Sequence, residues 1–395
     1  MSADRYRPLM EITHRPPISF VEGSGDWLVD REGNRYLDFV QGWAVNCLGH
    51  CPPVVTVALA RQSARLVNCS PAYYNEPARE LAAALTARSC FDRIFFCNSG
   101  AEANEGAIKL ARKWGLRHRA GAYGIITFDH GFHGRTLATM SASGKPQWDR
   151  LFEPKVPGFI KVAYNNLEAV GRACTTETVA VMLEPVQGEA GVYPADTRFL
   201  QGLREFTRER NILLIVDEIQ TGMGRCGTLF DHERAGIEPD IMTLGKGMGG
   251  GVPLAAMAAT EAVACFEPGD QGGTFNGSAL MAAAGLAVLE AITAPGFLEG
   301  VRSRGARLRQ RLEALSAKHH LGEVRGHGLL LALNLQQVNA TDLAARALKN
   351  HLLINAPRPD TLRFMPALNV AEESIERMVE ILDRLLGEAI PTPSH

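Results

Sequence analysis

The sequence lacks the cysteine patterns typical of a metal-binding or disulfide-stabilised protein. Its eight cysteines form no Cys-x-x-Cys pair, and none stands at zinc-site spacing from a histidine. Scattered cysteines of this kind favour reduced thiols in a cytoplasmic protein. We therefore expect no bound metal.

Long apolar runs and blocks of charge are missing too. No apolar stretch reaches the ~20 residues of a membrane-spanning helix, and residues 1–7 lack the apolar core of a signal peptide. The net charge is −2, without a basic cluster of the nucleic-acid-binding kind. These absences favour a cytoplasmic protein that binds neither membranes nor nucleic acids.

The composition that remains is that of an ordinary globular enzyme, with 46% hydrophobic and 21% charged residues among 395. This length predicts two or three domains. From about residue 90 to 260, short apolar runs alternate with amphipathic segments. That alternation predicts an α/β fold with a mostly parallel sheet and helices on both faces.

Two short apolar runs each lead to a reactive side chain. Ile212–Val216 suits a strand buried on both faces, and Asp217 follows it. Ile241–Leu244 is a second such run and leads to Lys246, which stands between two glycines. Pyridoxal phosphate needs a lysine for a Schiff base and an acid facing its pyridine nitrogen, and this pair suits both needs. The alternative is a generic strand end followed by a surface lysine in a flexible loop.

Residues 211–254 resemble the signature of class III (fold-type I) pyridoxal-phosphate aminotransferases. The motif is Val216-Asp217-Glu218-Ile219-Gln220-Thr221-Gly222. Lys246 follows Asp217 by 246 − 217 = 29 positions. The resemblance extends from about residue 8 to 388. It implies that Asp217 faces the pyridine nitrogen, that Gln220 reaches the phenolic oxygen, and that Lys246 carries the cofactor covalently.

A second motif stands at a predicted helix start. Apolar residues at helical spacing follow Ser99-Gly100-Ala101, so these three residues would lie at an N-terminus, where free N–H groups suit a phosphate. An ordinary N-cap serine is the alternative. The resemblance implies that Ser99, Gly100 and Ala101 hold the cofactor phosphate and that Thr274 reaches the phosphate of the neighbouring subunit. Asn276 and Ala279 depart from the family pattern after Thr274 and leave the path of this loop open.

The resemblance also implies a set of substrate-binding residues. Phe132 would stack on the pyridine ring, and Arg135 would bind a substrate carboxylate with its guanidinium fork. Glu189 would be a switchable partner of Arg363, which would bind the α-carboxylate of 2-oxoglutarate; the alternative for Arg363 is a surface position on an edge strand. His130 and His133 lack a third metal ligand, so we expect structural roles for them.

The resemblance implies the fold-type I architecture: a large domain with a mostly parallel seven-stranded sheet flanked by helices, and a smaller α+β domain. We predict the large cofactor-binding domain at residues 46–294, the small domain at 295–395, and an N-terminal segment, 1–45, that joins the small domain. Within the small domain we expect helices at 297–317 and 372–387 and strands near 327–334, 352–355 and 361–364.

Residues 42–77 resemble the acetylornithine aminotransferases more than the class in general. This implies transfer of the terminal amine of N-acetylornithine to 2-oxoglutarate in arginine biosynthesis, by a homodimer with active sites at the subunit interface. Other ω-amine donors remain alternatives: succinylornithine, ornithine, succinyldiaminopimelate and 4-aminobutyrate. An aminomutase is a rival of another class, and a nucleotide-binding oxidoreductase that uses the glycines of 245–251 is a more distant one.

Trp43 departs from its relatives, which usually carry a small aliphatic residue or, in ornithine enzymes, a tyrosine. The resemblance places Trp43 in the pocket around the α-amine side of the donor. A bulky apolar indole would pack on an acyl group better than it would solvate a free ammonium. The alternative is a tryptophan that fills a domain seam.

Overall fold

The structure, a computed structural model, describes residues 8–389. Residues 1–7, which we predicted to lack the apolar core of a signal peptide, lie outside the described residues. So do the last positions of the predicted small domain, 390–395. The strands in chain order are β1 (Phe20–Ser24), β2 (Trp27–Asp30), β3 (Arg35–Asp38), β4 (Arg93–Cys97), β5 (Gly124–Phe128), β6 (Phe159–Val162), β7 (Thr178–Leu183), β8 (Val186–Gln187), β9 (Tyr193–Pro194), β10 (Leu213–Asp217), β11 (Ile241–Leu244), β12 (Ala255–Ala259), β13 (Val324–His327), β14 (Leu330–Asn334), β15 (Leu352–Leu353), β16 (Asn355–Arg358) and β17 (Thr361–Phe364).

Helices separate most of these strands. They are α1 (Gln41–Ala44), α2 (Pro53–Ser63), α3 (Glu76–Thr86), α4 (Gly100–His118), α5 (Leu137–Ala142), α6 (Leu167–Ala173), α7 (Thr197–Glu209), α8 (Ala279–Thr293), α9 (Phe297–His319), α10 (Ala340–Lys349) and α11 (Glu372–Ala389). Three short 3₁₀ segments occur at Pro146–Trp148, Asp231–Ala235 and Lys246–Gly249.

The largest sheet has seven strands in the spatial order β4-β12-β11-β10-β7-β5-β6. Strand β12 runs antiparallel to both of its neighbours, and the other pairings are parallel. Every residue of β7, β10, β11 and β12 is buried. Continuous apolar runs are expected where helices cover both faces of a parallel sheet. The predicted seven-stranded, mostly parallel α/β sheet is therefore confirmed.

The N-terminal strands belong to a separate four-stranded sheet, in the order β1-β2-β3-β15. Strands β2 and β3 form an antiparallel hairpin, and Leu37 of β3 pairs with Leu352 of β15. This parallel pairing brings the start of the described chain beside its C-terminal part. The division of the chain at residues 45 and 294 stays a prediction.

A second four-stranded sheet, in the order β13-β14-β17-β16, contains Arg363. The single strand predicted near 327–334 is wrong: β13 and β14 form a hairpin that turns at Gly328, whose φ of 52° suits glycine. The edge-strand alternative for Arg363 is wrong as well. Strand β17 lies between β14 and β16, and Arg363 is fully buried.

Helix α1 is a single left-handed turn. Its four residues have φ values of 48°, 61°, 60° and 67° for Gln41, Gly42, Trp43 and Ala44. Left-handed conformations cost roughly 1–2 kcal/mol per non-glycine residue, so surrounding contacts must impose this turn. One such contact joins the Cys47 thiol, which donates to the carbonyl oxygen of Gly247 at 3.1 Å.

None of the helices within residues 8–389 has both the length and the apolar character to cross a bilayer alone. Helices α8 and α9 meet those criteria only as a pair, and their axes are bent by 73° at the break between them. The same residues contain no group of three or more His, Cys, Asp or Glu side chains arranged to hold a metal ion.

Candidate active site

Asp217 ends strand β10 and is almost completely buried. Its Oδ2 accepts hydrogen bonds from Asn104 Nδ2 and from His133 Nδ1, both at 2.8 Å. Its Oδ1 accepts one from the backbone N–H of Ile219 at 3.1 Å. Because Oδ2 is taken by two donors from the protein, the remaining lone pair of Oδ1 is the one available to a protonated ring nitrogen.

Two neighbours of Asp217 hold it in this orientation. Asn104, on the buried face of α4, also donates to the carbonyl oxygen of His133 at 2.7 Å and accepts from Thr243 Oγ1 at 2.8 Å. Burial alone would lower the pKa of His133, but the hydrogen bond and the negative charge of Asp217 outweigh burial and raise it. A raised pKa favours a positive imidazolium beside the buried carboxylate.

Lys246 follows β11, the strand next to β10, and opens the 3₁₀ segment Lys246–Gly249 with a φ of 44°. Burial lowers the pKa of its amine, against the attraction of Glu189 and Asp217. Within residues 8–389 its Nζ takes part in no hydrogen bond or ion pair. The alternative of a surface lysine in a flexible loop is therefore wrong, and the lowered pKa favours the neutral amine that proton transfer needs.

Helix α4 begins beside Lys246. Ser99 is its N-cap and forms a capping box with Glu102: Ser99 Oγ accepts from Glu102 N–H at 3.3 Å, and the Glu102 carboxylate accepts from Ser99 N–H at 3.0 Å. The Ser99 hydroxyl is therefore an N-cap acceptor, as in the alternative. The N–H groups of Gly100 and Ala101 have no partner inside the helix and remain suited to an anion.

Glycines bring the helix start and the lysine turn together. A Cβ on Gly100 would lie 2.7 Å from Ile219 Cδ1, and a Cβ on Gly245 would lie 3.5 Å from the Cα of Gly100. The first distance is too short for any side chain at position 100. Three residues therefore pack directly on one another: Gly100 at the start of α4, Ile219 and Gly245.

Gln220 supplies a buried donor that the protein leaves open. Within residues 8–389 its Nε2 is buried without a hydrogen-bond partner, and its Oε1 lies 3.4 Å from Arg363 Nη1. A Cβ on Gly188 would lie 1.6 Å from Gln220 Oε1, so any other residue at position 188 would displace the Gln220 amide from this position. A buried amide N–H without an acceptor is costly, and its presence indicates an acceptor supplied by a bound group.

Aromatic and cationic side chains meet around Phe132. The ring of Phe132 lies 5.7 Å from that of Trp148, and Lys145 Nζ lies 4.7 Å above Phe132. Arg135 is exposed, forms no ion pair within residues 8–389, and has its guanidinium 5.6 Å from the Trp148 ring. A free guanidinium fork at the rim of the site suits a carboxylate.

Arg363 and Glu189 form an ion pair. Arg363 Nη1 donates to Glu189 Oε1 at 2.8 Å, and Arg363 Nε donates to Asn355 Oδ1 at 2.9 Å. Although burial opposes ionisation, the charge of Arg363 holds the pKa of Glu189 at about 2. Glu189 is therefore anionic at neutral pH and covers a guanidinium that is otherwise able to bind a carboxylate.

Glu184 follows strand β7 and is a second buried carboxyl group. Burial raises its pKa to about 7, although His133 and the N–H of Phe132 favour the ionised form. That N–H donates to Glu184 Oε2 at 2.8 Å. Glu184 thus links the loop that carries Phe132 to the end of the central sheet.

The remaining predicted site residues, Thr274 and Trp43, are exposed in the single chain. Thr274 is exposed, and its carbonyl oxygen accepts from Asn68 Nδ2 at 3.4 Å. The departure at Asn276 has a local consequence, because Asn276 Oδ1 accepts from Asn98 Nδ2 at 3.0 Å and ties this loop to the start of α4. Trp43 is 51% exposed within the chain, so no seam inside it covers the indole.

Three comparisons place the chain among known proteins. A family model described as aminotransferase class-III matches residues 10–386, so the chain belongs to the class-III aminotransferases. It is 60% identical over 385 residues to an acetylornithine aminotransferase from Ralstonia nicotianae, with 96% of each chain covered. This membership excludes the nucleotide-binding oxidoreductase.

Solved structures agree with the family. The N-acetylornithine aminotransferase of Stenotrophomonas maltophilia is 34% identical with a TM-score of 0.83, covering 95% of this chain and 97% of that one. An ornithine aminotransferase of Toxoplasma gondii, with pyridoxal phosphate partly occupying its active site, is 30% identical with a TM-score of 0.92, covering 98% and 94%. The fold-type I prediction is confirmed.

Pyridoxal phosphate is the cofactor of class-III aminotransferases, which confirms the cofactor prediction. The residues of this chain fit that group. The free N–H groups at the start of α4 suit its phosphate, the open lone pair of Asp217 its ring nitrogen, the orphaned Nε2 of Gln220 its phenolic oxygen, and the amine of Lys246 its aldehyde.

Four residues of this site were missed from the sequence: Asn104, Lys145, Glu184 and His133 as a partner of Asp217. Asn104 carried a usable signal, since it is a polar residue on the apolar face that contains Ala107, Ile108 and Ala111. Lys145 carried none. Lys145 reaches the site because the residue before it, Gly144, forms an isolated β-bridge with Asp129. Asp129 in turn lies two residues before Gly131.

Proposed function

We propose that this chain transfers the terminal amine of N-acetylornithine to 2-oxoglutarate, forming N-acetylglutamate semialdehyde and glutamate in arginine biosynthesis. The observation that carries the reaction type is the Glu189–Arg363 ion pair beside Lys246, because two substrates with different carboxylates must share one site. The 60% identity to the Ralstonia acetylornithine aminotransferase supports the choice of donor.

Pyridoxal phosphate, when bound, supplies an aldehyde that accepts the amine and a ring that accepts the electrons of the carbon that loses its proton. Lys246 is the proposed attachment point, and its amine removes and returns that proton at Nζ. The lowered pKa of Lys246 suits this work, because a neutral amine is the basic form. Asp217, oriented by Asn104 and His133, holds a proton on the ring nitrogen.

The other proposed contacts orient the cofactor. Gly100 and Ala101 bind its phosphate through backbone N–H groups, with Ser99 fixing the helix start as N-cap. Gln220 Nε2 donates to its phenolic oxygen, and Phe132 stacks on its ring.

The substrates are distinguished by Arg135, Glu189 and Arg363. Arg135 binds the α-carboxylate of the amine donor in the first half-reaction and the distal carboxylate of 2-oxoglutarate in the second. Glu189 covers Arg363 while the donor is bound and leaves it when 2-oxoglutarate arrives. Arg363 then binds the α-carboxylate of the keto acid as a bidentate fork.

We propose a cytoplasmic homodimer whose active sites lie at the subunit interface. Exposed aromatic residues near the site support this, since Tyr73, Tyr74 and Phe275 are 73%, 91% and 64% exposed in the single chain. A groove of about 1000 Å³ between α2, α3 and α8 contains none of the site residues and is lined by exposed Val54 and Val57. The eight cysteines are free thiols, which supports a reducing compartment.

The test is a panel of amine donors assayed with 2-oxoglutarate: N-acetylornithine, succinylornithine, ornithine, succinyldiaminopimelate and 4-aminobutyrate. We expect the highest kcat/KM for N-acetylornithine. A higher kcat/KM for another amine would replace the donor and keep the reaction type. Turnover of an amino-aldehyde without added keto acid would contradict the reaction type, because an aminomutase needs no second substrate.

A further inference from the structure

Glu189 has a second positive neighbour besides Arg363. Arg363 contacts one oxygen of the Glu189 carboxylate, and Lys145 lies near the other oxygen. Glu189 Oε1 lies 2.8 Å from Arg363 Nη1, and Glu189 Oε2 lies 3.8 Å from Lys145 Nζ. Within residues 8–389 these are the only two ion pairs of Glu189. The carboxylate therefore lies between two positive groups, one on strand β17 and one after helix α5.

The two cations differ in their freedom to move. Arg363 is fully buried, and its Nε is fixed to Asn355 Oδ1 at 2.9 Å. The side chains of Lys145 and Glu189 retain 17% and 25% exposure. If the Glu189–Arg363 pair opens, Glu189 is therefore the partner that moves.

A carboxylate that leaves Arg363 in this setting needs another counter-ion. The charge of Arg363 is the main cause of the low pKa of Glu189, so a Glu189 that leaves Arg363 loses that support. An unpaired charge in a largely buried site is strongly unfavourable. Lys145 is fixed nearby by the rings of Phe132 and Trp148, with Nζ 4.7 Å and 5.2 Å from their centroids. Closing a 3.8 Å separation to a hydrogen bond requires only a small side-chain rotation of Glu189.

We propose that Lys145 is a positioning residue that receives Glu189 when Glu189 leaves Arg363, so that Arg363 becomes free to bind the α-carboxylate of the keto acid. This inference rests on the proposed function in one respect only, namely that the amine donor and the keto acid use the same site in turn. Lys145 acts through Glu189 and does not itself bind substrate. Without Lys145, Glu189 keeps Arg363 as its one ion-pair partner, so Arg363 becomes less available to a substrate carboxylate.

The experiment measures the dissociation constant of glutarate, a dicarboxylate without a reactive carbonyl, on the holoenzyme. We expect Lys145→Met to weaken glutarate binding roughly tenfold. This loss lies between that expected for removing a surface charge pair and that expected for removing a fully buried one. Lys145→Arg should restore binding to within about threefold, because the charge is kept. Lys161→Met is the matched control, since Lys161 Nζ also lies 3.8 Å from a carboxylate, that of Asp149, on an exposed pair.

The same measurement in a Glu189→Gln background separates a partner of Glu189 from a substrate ligand. If Lys145 acts through Glu189, Lys145→Met has no further effect once Glu189 is neutral. A tenfold loss in both backgrounds would mean that Lys145 binds the dicarboxylate directly and would overturn the proposal, as would no loss in either. Glutarate binding does not depend on which amine is the donor, so a wrong donor assignment cannot produce these outcomes.

Discussion

His133 and Asp217 are joined by a 2.8 Å hydrogen bond between Nδ1 and Oδ2, and both side chains are buried. The negative charge of Asp217 raises the pKa of His133 against the effect of burial, so the pair favours opposite charges. We infer that His133 fixes the orientation of the carboxylate that we propose faces the cofactor. This role in the site exceeds the structural role predicted from the sequence.

Replacement of His133 by leucine should lower kcat by about tenfold or more, because Asp217 loses one of its two Oδ2 donors and with it part of its fixed orientation. Steady-state rates measured from pH 6 to pH 9 check this. His130→Asn is the control, since His130 has a φ of 65° that asparagine tolerates and makes no bond to Asp217. A His133→Leu enzyme with an unchanged kcat would leave the imidazole as packing.

Replacement of Lys246 by alanine should abolish turnover and leave the fold intact, because the amine is both attachment point and proton carrier. Since the missing group is a small amine, added methylamine should restore a measurable fraction of the rate. Lys109→Ala is a control on the surface of α4. Retention of a tenth of the wild-type kcat by Lys246→Ala would show that another group carries the proton.

Arg363→Lys keeps a positive charge and loses the planar fork. We expect the rate of the 2-oxoglutarate half-reaction to fall about 100-fold, equivalent to ~2.7 kcal/mol, and that of the amine-donor half-reaction to fall less than tenfold. Single-turnover measurements of each half-reaction distinguish the two. Equal losses in both would argue against a Glu189 that covers Arg363 in only one of them.

Local signals account for the parts of the site that were predicted. Ser99 precedes a helix with clear apolar spacing, and Asp217 and Lys246 each follow a short apolar run, so neighbours in sequence were enough to place them. Lys145 could not be found in this way. Its approach to Glu189 depends on how two loops pack across the sheet end, which no local pattern encodes.

The turn Gln41–Ala44 shows the same limit for the backbone. Only Gly42 suits a positive φ, and three neighbours that disfavour it adopt it nonetheless. The hairpin at Gly328 was missed because its first strand, Val324–His327, has the sequence VRGH with a single apolar side chain, so only the apolar run after the turn indicates a strand. Tertiary contacts decide such segments, and the sequence around them gives the opposite preference.

Glu184 makes stability depend on pH. Its folded pKa of about 7 lies above the value of 4.5 expected when it is exposed, so folding favours the protonated form. That stabilising contribution is complete below pH 4.5 and is lost as the pH rises through 7. Glu184→Gln cannot ionise, so its free energy of unfolding should exceed that of the wild type by about 1–3 kcal/mol at pH 8 and by little at pH 4.5.

Thermal midpoints of the two apoenzymes between pH 4.5 and pH 8 measure this gap. Glu177→Gln, on an exposed loop, is the control for replacing a glutamate by glutamine. A gap for Glu184→Gln that narrows as the pH rises would reverse the sign of the argument. It would mean that the ionised carboxylate is the form that the folded site favours.

Trp43 offers a test of donor choice at a strained position. Its turn packs against the lysine turn, since a Cβ on Gly247 would lie 3.7 Å from the carbonyl oxygen of Ala44. The indole is half exposed and therefore free to contact a substrate. We expect it to pack on the N-acyl group of the donor, where burying a methyl-sized group contributes about 0.8 kcal/mol. It should not favour the free ammonium of ornithine.

Trp43→Leu is the informative change, because a β-branched isoleucine would add strain at a φ of 60°. The ratio of kcat/KM for N-acetylornithine over ornithine should fall about threefold to tenfold, the range expected for losing one or two buried carbon contacts. Tyr123→Leu, on a residue that is 42% exposed and directly precedes β5, should leave the ratio unchanged. A ratio that rises in Trp43→Leu would show that the indole restricts the acyl group, and a constant ratio would assign donor choice to other residues.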